Sequence, residues 1–425
     1  MQKLVIEGGV PLEGEITLHG AKNSALPILA GALLCDGRTV LENSPRLTDV
    51  FAACRILTHL GCRCRIAEHT VTLQMQNLRT DTIPEALMQE MRSSIIFLGA
   101  VLGRTGSCHV SYPGGCELGP RPIDMHLEAL RQMGARFLIH DGQLDCSAPE
   151  GLHGAVIHLP FPSVGATENI MLAAVLAKGR TVLHNAAKEP EICDLAAFLR
   201  SCGADISGDG AGTMVISGVK QLRGCSYSIM PDRIAGITYL GAAAITGGTV
   251  CLRGTDASPM DNMLPVLEQM GCRIYPEPDR LHLLAPRRLR PVASIRTMPH
   301  PGFPTDAQAI FMAILSLADG VSVLEENIFA CRYRHVDALV KMGAKIHVSG
   351  RTAVVTGVRS LSGACVTATD LRGGAAMVLA GLAASGTTEV RRICYIDRGY
   401  EAIEQVLRGV GGRIVRMETG GSGEL

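Results

Sequence analysis

Cations placed at the starts of helices, and one cysteine in a glycine-rich loop, are the residues of this chain best equipped for chemistry. Lys22, Arg92 and Arg372 each stand where a strongly apolar segment begins. A cation there opposes the helix macrodipole unless an anion occupies the same place, and free backbone N–H groups beside a cation make an anion site. A second set, Arg46, Arg121, Arg332 and Arg398, recurs shortly before a later helix. Cys116 lies in SYPGGCELGPRPIDMH, where glycines and polar flanks argue against burial and a nearby arginine favours the thiolate. Asp306 is a carboxylate on a helix start, which fixes its position. Asn23, Ser163, Asp232, Thr305 and Asp370 occupy similar starts as ordinary N-caps. These residues suit an enzyme acting on a phosphorylated or carboxylated substrate. They leave the reaction open.

The elements that must carry them repeat. Gly61, Gly134, Gly203, Gly271, Gly343 and Gly411 recur at intervals of about 70 residues, each closing a helix. Glycine suits that place because helices commonly end in a left-handed residue. Each of the six units opens with a helix such as SALPILAGALL or AQAIFMAILSL, apolar nearly all round and therefore buried on all sides. The segments that follow, such as GRTVLEN and GTVCLRG, alternate and read as strands with one wet face. Helices inside and sheets outside reverse the usual barrel. In the second unit the span from turn glycine to closing glycine, Gly106 to Gly134, is 28 residues, against 24 for Gly37 to Gly61. The extra residues fall around Cys116 and predict a lid. The opening segment LVIEGGVPLEGEITL resembles the segments that precede the helices, so its strands are expected to complete the last unit. Two domains of three units follow, 22–229 and 230–425 plus 1–21, with the active site in the cleft between them.

Composition narrows the partners. Lys plus Arg and Asp plus Glu number 40 each, which argues against nucleic acid or a membrane surface. Trp is absent and aromatics are 4%, so the cores are aliphatic. No apolar run has the length of a bilayer span, and no leader pattern opens the chain, so a cytoplasmic location is expected. The 15 cysteines then read as free thiols, and neither a metal nor a cofactor is expected.

GAKNSALP (20–27), PGGCELGPRPIDMHL (113–127), SVGATENIML (163–172), PGFPTDAQA (301–309), ATDLRGG (368–374) and IDRGYE (396–401) together resemble the UDP-N-acetylglucosamine 1-carboxyvinyltransferases, over essentially the whole chain. The resemblance implies an α/β fold, the inside-out α/β barrel of two domains, each built of three βαβαββ units around buried helices. It implies transfer of the enolpyruvyl group of phosphoenolpyruvate to the 3-hydroxyl of UDP-N-acetylglucosamine, the first committed step of peptidoglycan synthesis. By the same resemblance Lys22, Arg121 and Arg398 hold the phosphate of phosphoenolpyruvate and Arg372 its carboxylate, with Arg92 and Arg332 in support. Asn23, Asp306 and Ile328 touch the amino sugar. Arg121, Pro122, Ile123, Asp124 and Met125, with Ser163, Val164 and Gly165, form the uridine-diphosphate site, and Asp370 also borders substrate. Asp306 takes the sugar proton, and Cys116 gives a proton to the enol methylene. Cys116 is then open to alkylation by a small anionic epoxide such as fosfomycin. Some members carry a lysine just before the Ser-Val-Gly run, where this chain has Phe161-Pro162. Two alternatives stand beside this reading: a shikimate-type enolpyruvyl transferase, and a non-catalytic paralogue that binds sugar nucleotide.

Overall fold

The structure is a computed structural model that describes residues 2–75, 77–91, 93–111 and 123–418. Arg92, Cys116, Arg121 and Pro122 lie outside the described residues, as does the expected lid. The described chain divides into two compact units, one of residues 19–111 and 123–230, the other of 2–18 and 231–418.

In the first unit the apolar segments form the helices Lys22–Ala32, Phe97–Thr105 and Val164–Ala174. In the second they form Arg233–Thr246, Thr305–Leu315 and Leu371–Ala383. All six are buried along almost their whole length, as helices without a polar stripe must be. Helix Lys22–Ala32 has no side-chain N-cap and contains Pro27. A missing cap costs about 1 kcal/mol. Burial of each Leu or Ile stabilises by roughly 2 kcal/mol, and Ile28 and Leu29 are both fully buried. Packing therefore outweighs local propensity here. All six glycines that close the second helices have positive φ, between 92° and 108°, as the left-handed cap requires.

Each repeat carries one sheet with a shared order. In the third repeat, Val156–His158 and Arg180–His184, which precede and follow the inner helix in sequence, pair in parallel, and Thr213–Ser217 and Asp205–Ser207 continue the sheet antiparallel. The same order holds in the fifth repeat, with Ser294–Arg296, Val321–Glu325, Thr352–Thr356 and Lys345–Ser349. The N-terminal strands depart from the expectation that both complete the last repeat. Gln2–Glu7 does so, pairing with Thr387–Arg391 and Arg413–Glu418. Glu13–Thr17 instead pairs in parallel with Thr249–Arg253 of the fourth repeat. That repeat needs an opening strand because the one nearest in sequence, Ser226–Ser228, is already paired with Cys35–Glu42 of the first repeat.

Candidate active site

In the unit of residues 231–418, Asp306 sits one residue inside helix Thr305–Leu315. Its Oδ1 accepts from Arg332 Nη2 and its Oδ2 from Arg372 Nη2, each at 2.9 Å. Both arginine side chains are 3% exposed, while Asp306 is 27% exposed. Arg372 Nη1 donates to the Tyr400 hydroxyl at 3.1 Å, and that hydroxyl meets Thr238 Oγ1 at 2.9 Å. Burial opposes the charge on Arg372, but Tyr400 and Asp306 offset it and hold the guanidinium above its ordinary value. Arg332 also donates to the carbonyl of Thr305. The Nε atoms of Arg332 and Arg372 are buried without a hydrogen-bond partner among the described residues.

Neighbouring elements hold this cluster. Asp370 acts as the N-cap predicted for it, its Oδ1 accepting from the backbone N–H groups of Arg372 and Gly373 at 3.0 Å each. Glu326 links the start of the Asp306 helix to Ile328, an expected sugar contact. Its Oε2 accepts from Thr305 Oγ1 and its Oε1 from the N–H of Ile328. Arg398 ends the 3-10 turn Ile393–Arg398. That turn lies so close to helix Leu371–Ala383 that a Cβ on Gly374 would stand 2.7 Å from Ile396 Cγ1. Only glycine permits the approach, which explains the second glycine of ATDLRGG.

In the unit of residues 19–230, Lys22 Nζ pairs with Asp49 Oδ2 at 2.6 Å, with side chains 11% and 2% exposed. A cation on a helix start calls for an anion beside it. For Lys22 and Arg372 the protein supplies it, as Asp49 and Asp306. Pro27 lacks the N–H that would close a helical bond onto the Asn23 carbonyl, so that acceptor is released from the ladder. Ser24 Oγ, Tyr227 and the N–H of Met230 all donate to Asp194. Ser163 caps helix Val164–Ala174 through the N–H of Ala166. Asp124 and Met125 open helix Asp124–Gln132 after the buried Ile123. With Ile157, His158, Leu159 and Pro160 they line a pocket of about 310 Å³. Phe161, in place of the lysine, is 40% exposed.

Asn169 ties these segments together and was not singled out from sequence. Its Oδ1 accepts from the N–H of Gly99 at 2.7 Å, which fixes its Nδ2 as the donor to His126 Nδ1 at 3.0 Å. The acceptor role of Nδ1 places the proton of neutral His126 on Nε2. One side chain thus joins the start of the helix with Asp124 and Met125 to the start of the helix with Val164 and Gly165. Asp49, Asp194, Glu326 and Tyr400 were missed as well. Tyr400, as part of IDRGYE, and Asn169, as part of SVGATENIML, each had a signal. Among the described residues no group of three or more His, Cys, Asp or Glu is placed to hold a metal ion.

Burial lowers His126 to about 4, with Asp124 acting upward. Burial likewise lowers His335 to about 4, with Asp370 acting upward and Arg332 downward. Both folded values lie below the ordinary 6.5, so protons favour the unfolded chain. This stabilisation is complete above about pH 6.5 and lost as pH falls toward 4, about 3 kcal/mol per site. Glu168 and Asp194 act the other way, since burial raises both carboxyls. The test is therefore a difference. The stability advantage of wild type over His126→Asn should shrink between about pH 7 and about pH 4.5 in urea unfolding. A constant difference removes His126 from the acid response.

A family model described as EPSP synthase (3-phosphoshikimate 1-carboxyvinyltransferase) matches residues 6–407. A UDP-N-acetylglucosamine 1-carboxyvinyltransferase of Nitratidesulfovibrio vulgaris is 49% identical over 98% of this chain and 99% of its own. UDP-N-acetylglucosamine 1-carboxyvinyltransferase 2 of Caldanaerobacter subterraneus is 46% identical, over 98% of this chain and 100% of its own. Among solved structures, the enolpyruvyl transferase NikO of Streptomyces tendae aligns with a TM-score of 0.89 at 23% identity, over 98% of both chains. EPSP synthase of Acinetobacter baumannii aligns at 0.77 and 20% identity, over 98% of this chain and 100% of its own. These two likenesses carry the fold, the inside-out α/β barrel. Fold and sequence identity together place this chain in the enolpyruvyl transferase family, in its UDP-N-acetylglucosamine 1-carboxyvinyltransferase branch.

Proposed function

We propose that the chain transfers the enolpyruvyl group of phosphoenolpyruvate to the 3-hydroxyl of UDP-N-acetylglucosamine and releases phosphate. The observation that carries the reading is Asp306 held between two buried arginines, in a chain 49% identical to an enzyme of that name. Asp306 accepts the proton of the sugar hydroxyl as its oxygen adds to C2 of phosphoenolpyruvate, and C3 gains a proton from Cys116. The tetrahedral intermediate bears phosphate and carboxylate on one carbon. Lys22, Arg121 and Arg398 stabilise the phosphate and Arg372 the carboxylate, with Arg92 and Arg332 in support. Loss of a proton from C3 then expels phosphate.

The ion pairs have a part in this. In the described state, guanidinium N–H groups occupy both oxygens of Asp306. A substrate carboxylate competing for Arg372 frees Oδ2 to face the sugar hydroxyl. Lys22 makes the same exchange, from Asp49 to phosphate. Asn23 and Ile328 orient the amino sugar. Ile123, Asp124 and Met125, with Arg121 and Pro122, hold the uracil end. Ser163, Val164 and Gly165 offer a helix N-terminus to the diphosphate. Asp370, capping the helix of Arg372, borders the same substrate. We place the work in the cytoplasm as the first committed step of peptidoglycan synthesis. No helix among the described residues is long and apolar enough to cross a membrane.

Phosphate release tests the reading. Release with phosphoenolpyruvate and UDP-N-acetylglucosamine supports it. Release only with shikimate 3-phosphate gives the shikimate-type alternative, and none with either gives the non-catalytic paralogue. Cys116 provides a second test. Cys116→Asp should retain substantial activity and Cys116→Ser little, because a serine hydroxyl is too weak an acid. Fosfomycin should alkylate Cys116 and spare the other thiols. Among described thiols Cys331 and Cys394 are exposed, so neutral iodoacetamide should label those two. Mass spectrometry that finds fosfomycin on Cys331 or Cys394 instead would remove Cys116 from the anion site.

A further inference from the structure

Arg398 is carried by a segment that cannot hold itself. The turn Ile393–Arg398 is a 3-10 helix, which has poorer hydrogen-bond geometry than an α-helix. Non-glycine residues in the left-handed region flank it, Arg392 at φ 57° and Ala402 at φ 40°. Such residues persist where the surroundings over-determine them.

Ile393 and Ile396 anchor the turn in the core, and one side chain grips its polar end. Arg416, on strand Arg413–Glu418, faces Asp397, the residue immediately before Arg398. Arg416 Nη1 donates to Asp397 Oδ2 at 2.9 Å and Nη2 to Asp397 Oδ1 at 2.6 Å. Its Nε and Nη2 also donate to the two oxygens of Glu404, each at 3.1 Å. Nη1 donates further to Gln2 Oε1 at 3.1 Å. A guanidinium has five N–H donors, and these bonds engage all of them. Glu404 begins helix Ile403–Gly409 and is buried, while the Arg416 and Asp397 side chains are 24% and 25% exposed. One planar fork thus ties the turn to a helix and to two strands.

We infer that Arg416, acting through Asp397, is a positioning residue that holds Arg398 at the phosphate of phosphoenolpyruvate. The inference rests on the proposed role of Arg398. It assigns to a residue outside the proposed substrate contacts a specific share in binding one of the two substrates. A lysine cannot replace it, because an ammonium lacks the fork that grips two carboxylates in one plane.

The test is steady-state kinetics with both substrates varied, for Arg416→Lys, Arg416→Met, Asp397→Asn, Glu404→Gln and Arg398→Ala. Arg398→Ala sets the scale. If it leaves KM for phosphoenolpyruvate unchanged, the reading of Arg398 fails and the inference falls with it. Given that effect, Arg416→Lys and Asp397→Asn should each raise KM for phosphoenolpyruvate about ten-fold, with KM for UDP-N-acetylglucosamine within about two-fold. Asp397→Asn should add little in the Arg416→Met background, since the pair acts as one unit. Glu404→Gln should lower the melting temperature and leave both KM values in place. Three results overturn the inference: wild-type kinetics in Arg416→Lys and Asp397→Asn, equal rises in both KM values, or a rise in Glu404→Gln as large as in Asp397→Asn. The last would mean general loosening.

Discussion

Asp306→Asn is expected to slow the chemical step by about 10²–10⁴ while UDP-N-acetylglucosamine binding is largely kept. The size of the side chain is preserved and its capacity to take a proton is lost. The geometry adds a second consequence. Arg332 and Arg372 are almost fully buried and share this one carboxylate. An amide can accept from one of them and must turn its NH₂ toward the other. Breaking a buried ion pair from one side costs about 3–5 kcal/mol, so thermal stability should fall with activity. Phosphoenolpyruvate, which brings its own carboxylate, should then raise the melting temperature of Asp306→Asn more than that of wild type. Single-turnover rates and thermal melts with and without phosphoenolpyruvate measure both effects. Near-normal turnover in the variant would take the proton-accepting role away from Asp306.

Arg372→Ala is expected to lower kcat/KM for phosphoenolpyruvate by about 10³, comparable with removal of a preorganised donor from a transition state. On the proposed assignment its charge faces substrate carboxylate in the ground state and in the intermediate, so KM and kcat should both change. The lost guanidinium also holds Tyr400 and Asp306 through separate nitrogens. Arg372→Lys restores charge but reaches only one of those partners, and partial rescue is expected. Full rescue by lysine would mean that charge alone matters and that the fork has no task. Unchanged kinetics in Arg372→Ala would end the carboxylate assignment.

The repeats were legible because they rest on local physics. A helix apolar on every side has one place to go, and a glycine after it marks the left-handed cap. Glu13–Thr17 was misassigned for the complementary reason. Its sequence shows an extended segment, but the partner of a strand is a long-range fact. The cations of the site were legible because Lys22 and Arg372 contradict the dipole of the helix they begin. Their carboxylate partners divide. Asp306 stands on a helix start and was found. Asp49 stands on a different helix from Lys22, and nothing in its spacing marks it. Asn169 lies within SVGATENIML, but its three hydrogen-bond partners lie on three helices, which no local pattern shows. The loop around Cys116 was the most conspicuous insertion in the sequence, and it lies outside the described residues.

The exchange of strands at the N-terminus sets an order of assembly. Residues 19–230 supply every strand of their three sheets, so the unit with Lys22 can close once that stretch of chain exists. The other unit cannot. Leu4 pairs with Val390 and Arg416, contacts that span about 400 residues of chain. Loop closure over such a distance is slow, because its entropy is lost before the contact forms. During that interval Gln2–Glu7 remains an unpaired edge, the kind of surface on which nascent chains associate, whereas Glu13–Thr17 waits only for Thr249–Arg253. The half of the protein that holds Asp306 and its arginines is thus the half whose yield should depend most on chaperones and on growth temperature.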